Sequence, residues 1–429
     1  MTRNTKNSNG FCLSFFLLFM LFVTTSMAEE DKDRYLRLEI GKPGLKEKVL
    51  SIASDRLYDL FSSQEIEFSR MIENMMASHF IYVGETHNSL PMHDIQLQII
   101  RALYEKDKDL AIGIEMMPIT LQPVLNKWSL GILTEEEFIR EALWYETWNF
   151  SFEYYVKIFA FAKENKIPVY ALNIPKKLIT KIRMKGWDAF TAEEKKIMPR
   201  PDLSHEEHRM LIRTIFETSD IPHQMKGSGL DMMFEGLYRA QSAWDESMAL
   251  YASQASDREG RRMVVLAGSG HFLYNLGINR RVYEKNGLPF KTVICLEVPE
   301  DEENPTVSRS LADYVWGLRE EIIPVFPSIG LAFKKFDSLE NLVIVRDPID
   351  GVAKGEDFAK GDIVLSVDGK KFTEINDLRI YLAKFQWKDE VTFRLLREAK
   401  ELEVVLKFLP KDNENNSTEK EEVTCSQNP

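Results

Sequence analysis

Two short motifs constrain the fold of this 429-residue chain more than any other feature. They are Gly84-Glu85-Thr86-His87 and Gly268-Ser269-Gly270-His271, and each follows an apolar run, at 80–83 and 263–267, that predicts a buried strand. Each motif places a histidine three residues after a glycine, where the strand gives way to a loop. In open α/β sheets, ligands bind beyond the carboxyl ends of the strands. We therefore expect His87 and His271 to converge on one pocket.

The regions between and around these motifs alternate between strand and helix patterns. Further buried strands are predicted at 110–117, 167–172 and 290–298, and helices at 65–77, 91–103, 150–164 and 230–255. This alternation predicts an α/β fold with a largely parallel sheet flanked by helices. The first strand–helix–strand unit, within 80–117, predicts a parallel pair joined by a right-handed crossover. We interpret 29–64 as a charged, loosely helical lead-in and 186–227 as a polar helical insertion.

Composition and the two termini indicate an exported protein. The net charge of −12 argues against a nucleic-acid or anionic-membrane partner. Residues 1–28 have a basic start, an apolar stretch at 11–23 and small side chains before Ala28, which predicts a signal peptide cleaved after Ala28. The apolar stretch is short for a membrane span, which takes about 20 residues. We expect a periplasmic or envelope location, and we interpret the acidic tail at 411–429 as disordered.

Four ionisable residues lie at or near predicted strand ends and are the candidate catalytic residues: Glu85, His87, Glu115 and His271. Glu115 is the most informative of them, because a carboxylate within an apolar strand is costly unless it is paired or its pKa shifts. The two histidines are its natural partners. Two interpretations stay open. His87, Glu115 and His271 bind a divalent metal ion, or the four residues act as general acid and base on a bound substrate.

The long predicted helix at 230–255 adds polar groups to this pocket. Gln241 and Asp245 lie one turn apart and interrupt a helix face that is otherwise apolar and that also carries Met248. A buried pair of polar side chains needs a polar partner, and the pocket would supply it. Asn173, at the end of the third predicted strand, is placed to join them. The candidate cofactor-binding residues are therefore His87, Asn173, Gln241, Asp245, Met248 and His271.

Several motifs in order along residues 65–320 resemble the ChaN-like haem-binding domain, in the superfamily that includes Tiki/TraB metalloproteases and erythromycin esterases. The motifs are Val83-Gly84-Glu85-Thr86-His87, Gly113-Ile114-Glu115-Met116, Ala171-Leu172-Asn173-Ile174-Pro175, Ala240-Gln241, Trp244-Asp245-Glu246-Ser247-Met248-Ala249, Ala267-Gly268-Ser269-Gly270-His271 and Ala312-Asp313-Tyr314-Val315-Trp316. The resemblance implies a shared pocket built from the two Gly-x-x-His turns and the strand glutamate. It implies haem as the cofactor in the ChaN branch and metal-dependent peptide hydrolysis in the Tiki branch.

The C-terminal part of the chain, 322–410, changes to short strands, tight turns and one helix. It resembles a PDZ domain of the bacterial protease-associated type, a small β-rich fold. Ile329-Gly330-Leu331-Ala332 matches the carboxylate-binding loop, and Lys360-Gly361-Asp362-Ile363-Val364 with Val367-Asp368-Gly369 matches the central hairpin. The resemblance implies that Ile329, Gly330, Leu331 and Ala332 bind a peptide carboxylate while the peptide adds as a strand to the sheet edge.

Two functions follow as hypotheses. The first is an exported haem- or iron-binding protein of the uptake type, whose PDZ domain docks the C-terminus of an envelope protein. The alternative is a metal-dependent hydrolase whose PDZ domain presents substrate, and a binding scaffold is a third. The sequence leaves open whether the ligand is haem or another small molecule, and whether a homodimer encloses the cofactor. It also leaves open whether His87, His271 or exposed tyrosines would bind the iron.

Overall fold

The computed structural model describes residues 29–148, 150–219, 229–300 and 302–410. The predicted signal peptide, the acidic tail and the end of the polar insertion lie outside the described residues. In the described part of the chain, no helix is long and apolar enough to cross a membrane.

The N-terminal domain is built on an eight-stranded sheet with the order β3-β2-β10-β8-β4-β7-β5-β6. Its strands, with the short pair β1 and β9, are β1 (Val49–Ser51), β2 (Arg56–Asp59), β3 (Gln64–Glu65), β4 (Phe80–Glu85), β5 (Leu110–Pro118), β6 (Val169–Asn173), β7 (Arg262–Gly268), β8 (Phe290–Val298), β9 (Thr306–Ser308) and β10 (Tyr314–Arg319). The six strands from β10 to β6 run parallel, and β2 and β3 add an antiparallel edge. The predicted α/β class with a largely parallel sheet is confirmed.

Two details of the predicted topology are wrong. The strands β4 and β5 are parallel but not paired, because β7 lies between them and pairs with both. The lead-in is not simply helical, since a 3-10 helix at Glu29–Arg37 is followed by three strands, of which β2 pairs with β10. These strands are two to four residues long, which is too short for a period of two to be visible in the sequence.

Helices cover both faces of the sheet. They are α1 (Phe68–Met75), α2 (Leu90–Lys106), α3 (Gln122–Ser129), α4 (Glu135–Glu141), α5 (Trp144–Thr147), α6 (Val156–Glu164), α7 (Lys176–Lys185), α8 (Ala192–Ile197), α9 (Glu206–Glu217), α10 (Gly229–Glu259) and α11 (Ile278–Asn286). Thr134 begins α4 with a full capping box to Glu137, and a proline lies in the first turn of α2. Both features stabilise a helix start.

The apolar strand runs reflect burial on both faces of the sheet. Along β4, Ile81 and Val83 enter the core shared with α1, α2 and α6, whereas Phe80 and Tyr82 enter the core shared with α9, α10 and α11. All four side chains are fully buried. A strand covered on both faces reads as a continuous apolar run rather than an alternating one.

The C-terminal domain is a five-stranded antiparallel sheet with one helix. Its elements are β11 (Phe333–Lys334), β12 (Leu342–Ile344), β13 (Ile363–Val367), α12 (Ile375–Leu382), β14 (Glu390–Arg397) and β15 (Lys400–Lys407), and the strands pair in sequence order. The strand β11 is therefore an edge strand. Asp362 is fully buried and accepts two hydrogen bonds from Arg397, at 2.7 and 2.8 Å, which satisfies its charge inside the domain.

Candidate functional site

The parallel register of three strands brings the two Gly-x-x-His motifs together. Glu85 at the end of β4 pairs with Gly268 at the end of β7, and on the other side of β7 Ile114 pairs with Leu266. The carboxyl ends of β4, β7 and β5 therefore meet at one edge of the sheet. We use the name histidine cluster for Glu85, His87, Glu115, Asp245 and His271, which all lie at this edge.

Glu85 is a fully buried carboxylate with several donors around it. Its Oε1 lies 2.9 Å from Nδ1 of His87 and accepts a 2.8 Å hydrogen bond from the Tyr155 hydroxyl. Its Oε2 accepts a 2.7 Å bond from the Gln96 amide and lies 3.5 Å from Nδ1 of His93. Burial alone would raise the pKa of Glu85, but the charge of His93 and the bonds from His87 and Gln96 hold it below its usual value. Glu85 is thus an anion that orients His87.

His87 is the more accessible histidine of the cluster, with 19% of its side chain exposed. Burial lowers its pKa, but the hydrogen bond to Glu85 and the charge of Glu115 outweigh burial and raise the pKa above 6.5. Its Nδ1 atom is engaged by Glu85, and Nε2 makes no hydrogen bond within the described residues. Nε2 is therefore the ring nitrogen that is available to a ligand.

Gly268 makes room for the centre of the cluster. A Cβ atom at this position would lie 3.0 Å from Cε1 of His87, 3.3 Å from its Nε2 and 3.7 Å from Oε2 of Glu115. His87 and Glu115 therefore approach the same small space from two different strands. The charge of Glu115 raises the pKa of His87 across this space.

His271 lies between two carboxylates. Its Nδ1 is 2.6 Å from Asp245 Oδ1, and its Nε2 is 3.3 Å from Glu115 Oε1. Burial would lower the pKa of His271, but Glu115 and Asp245 raise it to about 10. Burial likewise opposes ionisation of Glu115, yet His271, His87 and the Gly268 amide lower its pKa to about 2. His271 is accordingly an imidazolium whose two nitrogens are both in use.

Asp245 joins His271 to a second buried group. Its Oδ2 lies 3.1 Å from Nε2 of His208 and 3.4 Å from Nη1 of Arg281. Burial raises the pKa of Asp245, but His208 and His271 reverse this and hold it well below its usual range. Burial lowers the pKa of His208 despite the neighbouring carboxylate. The polar insertion therefore reaches the cluster through His208, which lies in α9.

The other predicted cofactor-binding residues differ in their placement. The Gln241 amide lies 2.9 Å from Nδ1 of His271, so Gln241 joins the cluster. Asn173 donates a 2.9 Å hydrogen bond to the backbone oxygen of Glu115 and accepts one from the Ile174 amide, so it fixes the strand ends. Met248, which also lies in α10, is fully buried in the hydrophobic core that α10 shares with the sheet, and no hydrogen bond joins it to the described residues of the cluster.

Aromatic rings form a wall beside His87. The ring centroid of Trp148 lies 4.7 Å from that of His87, and the centroid of Phe150 lies 5.0 Å away. Trp148 donates a 3.2 Å hydrogen bond to the Tyr155 hydroxyl, the same hydroxyl that bonds to Glu85. An available imidazole nitrogen next to flat apolar surfaces suits an iron porphyrin, so the residues at His87 fit a haem group.

The predicted metal ligands fit a bare metal ion less well. No group of three or more His, Cys, Asp or Glu side chains in the described parts of the chain is arranged to hold a metal ion. In His271 both ring nitrogens face carboxylates, which leaves neither for a metal.

In the C-terminal domain, the predicted carboxylate-binding loop directly precedes the edge strand β11. Gly330 has φ of +76°, and its backbone packs so closely on Asp350 that a Cβ would lie 1.9 Å from the Asp350 oxygen. Leu331 is buried in the domain core. Backbone hydrogen bonds hold both ends of the loop, from Ala353 to Ile329 and from Val345 to Ala332.

The sequence prediction missed several residues of the site. Gln96 carried a signal, because it is a polar residue one turn after His93 on the buried face of α2. Tyr155, Trp148 and Phe150 carried none, since they lie in an aromatic-rich region where every ring predicts core packing. His208 lies among charged residues in the sequence, a pattern that predicts a solvated surface position, and this prediction is wrong because His208 is fully buried.

Fold and site together define a two-domain protein, with an α/β domain that carries a cluster of buried ionisable residues followed by a small β-rich domain. Residues 71–282 match the family model described as haem-binding uptake, Tiki superfamily, ChaN, and residues 327–408 match that of the PDZ domain. The chain therefore carries a ChaN-type domain of the Tiki superfamily followed by a PDZ domain. A comparison with curated proteins gave no match.

Three solved structures illustrate how far this chain is similar to known proteins. The structure titled cofacial heme binding to ChaN of Campylobacter jejuni is 18% identical, with 62% of this chain and 98% of that chain covered and a TM-score of 0.49. A mutant of the erythromycin esterase EreC in its open conformation is 10% identical, with 59% and 78% covered and a TM-score of 0.35. The HtrA-type protease AlgW with decapeptide is 14% identical, with 19% and 28% covered and a TM-score of 0.18.

Proposed function

We propose that the N-terminal domain binds haem at the histidine cluster and that the protein serves haem or iron uptake. The observation that carries this proposal is the His87 ring, whose Nε2 makes no hydrogen bond within the described residues and whose centroid lies near those of Trp148 and Phe150. The match of residues 71–282 to a haem-binding uptake family supports it.

Each residue of the cluster would have a separate role in haem binding. His87 would hold the iron through Nε2, while Glu85 fixes its ring through Nδ1 and increases its basicity. Trp148 and Phe150 would pack on the porphyrin. His271 would act through its charge, since Glu115 and Asp245 occupy its nitrogens.

We further propose that the protein is exported after cleavage behind Ala28, and that the PDZ domain docks the C-terminus of an envelope protein. The basic start and the apolar stretch of residues 1–28 support export. The match of residues 327–408 to the PDZ family and the edge position of β11 support peptide docking. N-terminal sequencing of the mature protein from its native host tests the cleavage, and an intact Met1 would contradict it.

Titration of the purified full chain with hemin, followed by the Soret band, tests haem binding. We expect saturable binding by the native protein and at least about a tenfold loss of affinity in His87→Ala, because removal of an iron ligand costs one or more factors of ten. The matched control is His79→Ala. His79 lies just before the other end of the same strand and contacts Ser256 at 2.7 Å.

Two results would contradict haem binding at His87. One is a native protein that gives no saturable Soret change. The other is an equal loss of affinity in the His87→Ala and His79→Ala variants, which would show a nonspecific effect.

A second candidate function is hydrolysis. It rests on a specific observation, that each motif histidine contacts a buried carboxylate, Glu85 at 2.9 Å for His87 and Asp245 at 2.6 Å for His271. Such pairs serve as general acid and base. Turnover of chromogenic esters or peptides that is lost in His87→Ala and kept in His79→Ala would support hydrolysis. Elemental analysis of the purified protein would test its metal-dependent form.

A further inference from the structure

The PDZ domain packs against the N-terminal domain through its only described helix, α12. This helix contacts α4 and α5. Ile380 in α12 is 9% exposed and belongs to the same hydrophobic core as Trp144 and Trp148, and Ala383 packs against that core. Because Ile380 belongs to one domain and packs in the core of the other, it fixes the position of the two domains relative to each other.

Polar contacts hold α5 at this interface. The guanidinium group of Arg379 in α12 donates to the backbone oxygen of Tyr145, and Asp377 in α12 pairs with Arg140 in α4. From the N-terminal domain, Lys176 donates a 3.2 Å hydrogen bond to the oxygen of Glu146. Cations at the last carbonyl groups of a helix stabilise its end.

The helix α5 needs such support. It is a single turn of four residues, and Leu143 before it has a left-handed backbone with φ of 46°. One helical turn has little stability of its own, and a left-handed backbone is unfavourable for leucine. The position of α5 is therefore set by what packs on it, and α12 is a large part of that surface.

The end of α5 leads directly into the haem site. The Trp148 amide donates a 2.6 Å hydrogen bond to the Trp144 oxygen. The Trp148 ring lies against His87, and its Nε1 bonds to Tyr155, which bonds to Glu85. A shift of α5 would thus move the aromatic wall and one partner of Glu85 together.

The linker between the domains contacts the N-terminal domain next to Tyr155. The ring of Phe326 lies 4.9 Å from Tyr154, the neighbour of Tyr155, and Trp387 of the PDZ domain donates a 2.8 Å hydrogen bond to the Pro324 oxygen. The start of α12 lies near the end of β11, because Lys335 after β11 pairs with Glu374, which precedes α12. One helix therefore contacts both the N-terminal domain and the residue that follows the edge strand.

From these contacts we propose that the position of α12 controls ligand affinity at the histidine cluster, by way of α5 and Trp148. This inference rests on the proposed haem function and adds its regulation. The PDZ domain is then a regulatory part of the site as well as a docking module. Coupling between two sites is reciprocal, so haem in the cluster also favours the α12 position seen here.

Charge reversal at the interface tests the proposal in the full chain. We expect Asp377→Arg to place two cations together at the Arg140 contact, to speed amide hydrogen exchange in residues 143–148, and to raise the hemin Kd about tenfold. The double variant Arg140→Asp with Asp377→Arg restores the pair with opposite polarity, and we expect it to recover both values. A merely structural loss of stability would not be rescued in this way.

The matched control is Glu401→Arg, which makes the same charge change in the exposed Arg394–Glu401 pair between β14 and β15. We expect native exchange in residues 143–148 and native hemin affinity.

If Asp377→Arg does not fold, Arg140→Asp breaks the same pair from the other domain. Exchange at 143–148 that stays native in both variants overturns the proposal, whether or not hemin binds. Absence of hemin binding by the native chain, with altered exchange in the variants, would overturn the haem function and the control of its affinity while leaving the mechanical link between α12 and α5.

Discussion

The imidazole ring of His87 lies against the backbone of Gly268. A Cβ at Gly268 would be 3.0 Å from Cε1 of His87, closer than ordinary van der Waals contact. The backbone of Gly268 has φ of −53°, which any residue adopts. This glycine is therefore required for space and not for backbone freedom.

Gly268→Ala is expected to displace His87 and to weaken hemin binding about tenfold or more, since a ligand moved by a fraction of an ångström loses its geometry. The hemin titration measures this. Gly270→Ala is the matched control two residues later, because nothing lies within 4 Å of its Cβ position. Equal affinities in the two variants would show that His87 does not bind the ligand from the position described here.

Tyr155→Phe removes the hydroxyl that joins Trp148 to Glu85. It leaves a buried indole N–H without its acceptor, so we expect the free energy of unfolding to fall by about 1–3 kcal/mol. Urea denaturation measures the change. Tyr104→Phe is the control, since the Tyr104 hydroxyl makes a single weak bond of 3.4 Å to the Asn165 oxygen. A Tyr155→Phe variant as stable as Tyr104→Phe would contradict this prediction.

Because of the ion pairs of His271, the free energy of unfolding should fall both at alkaline pH and at acidic pH. The pKa of His271 is raised from 6.5 to about 10, so its contribution is complete below pH 6.5 and is lost as the pH rises through 10. The pKa of Glu115 is lowered from 4.5 to about 2, so its contribution is complete above pH 4.5 and is lost as the pH falls towards 2. The contribution of this pair is therefore greatest between pH 4.5 and 6.5.

Urea midpoints across pH 3–10 test this dependence. We expect His271→Gln to lower stability most between pH 4.5 and 6.5 and to flatten the alkaline slope, since the pair is complete in that range. His79→Gln should keep the alkaline slope, because the pKa of His79 is lowered by burial rather than raised. An unchanged alkaline slope in His271→Gln would argue against an imidazolium between the two carboxylates.

Gly330→Ala is expected to disrupt the PDZ loop before β11. The new methyl group would collide with the Asp350 oxygen in addition to the strain of a positive φ. Gly369→Ala, with φ of +72° and nothing within 4 Å of its Cβ position, carries the backbone strain alone. Thermal unfolding of the full chain should therefore show a larger loss of PDZ stability for Gly330→Ala, and equal losses would show that the loop can shift.

The strands and the meeting of the two motifs could be predicted because burial on both faces leaves a strong local signal. The runs at 80–83 and 263–267 are continuous and apolar, and a glycine follows each. Glu115 was recognisable because an ionised group inside an apolar strand requires a partner. The position of β7 between β4 and β5 could not be predicted from the sequence, because all three strands are equally apolar and the order in which strands pair leaves no local pattern.

The parts of the site that come from irregular chain could not be predicted. Trp148 lies next to His87 because α5 turns at a left-handed Leu143, a conformation that no sequence pattern indicates for leucine. His208 lies in a helix with charged neighbours, which predict an exposed position. It is buried because the fold packs it against Asp245, a contact that leaves no pattern in the sequence. The contact between α12 and α5 joins Arg379 to Tyr145, which are 234 positions apart.

The position of β4 in the sheet also determines when the site can form during synthesis. The two strands that flank β4 are β7 and β8, which begin at Arg262 and Phe290. Glu85 and His87 are thus made early, but their strand has no hydrogen-bonding neighbour until β7, at Arg262–Gly268, has left the ribosome. Such long-range pairing slows folding and leaves apolar strands exposed meanwhile. A chain that ends before β7 would have the first Gly-x-x-His turn but neither of the two strands that pair with β4.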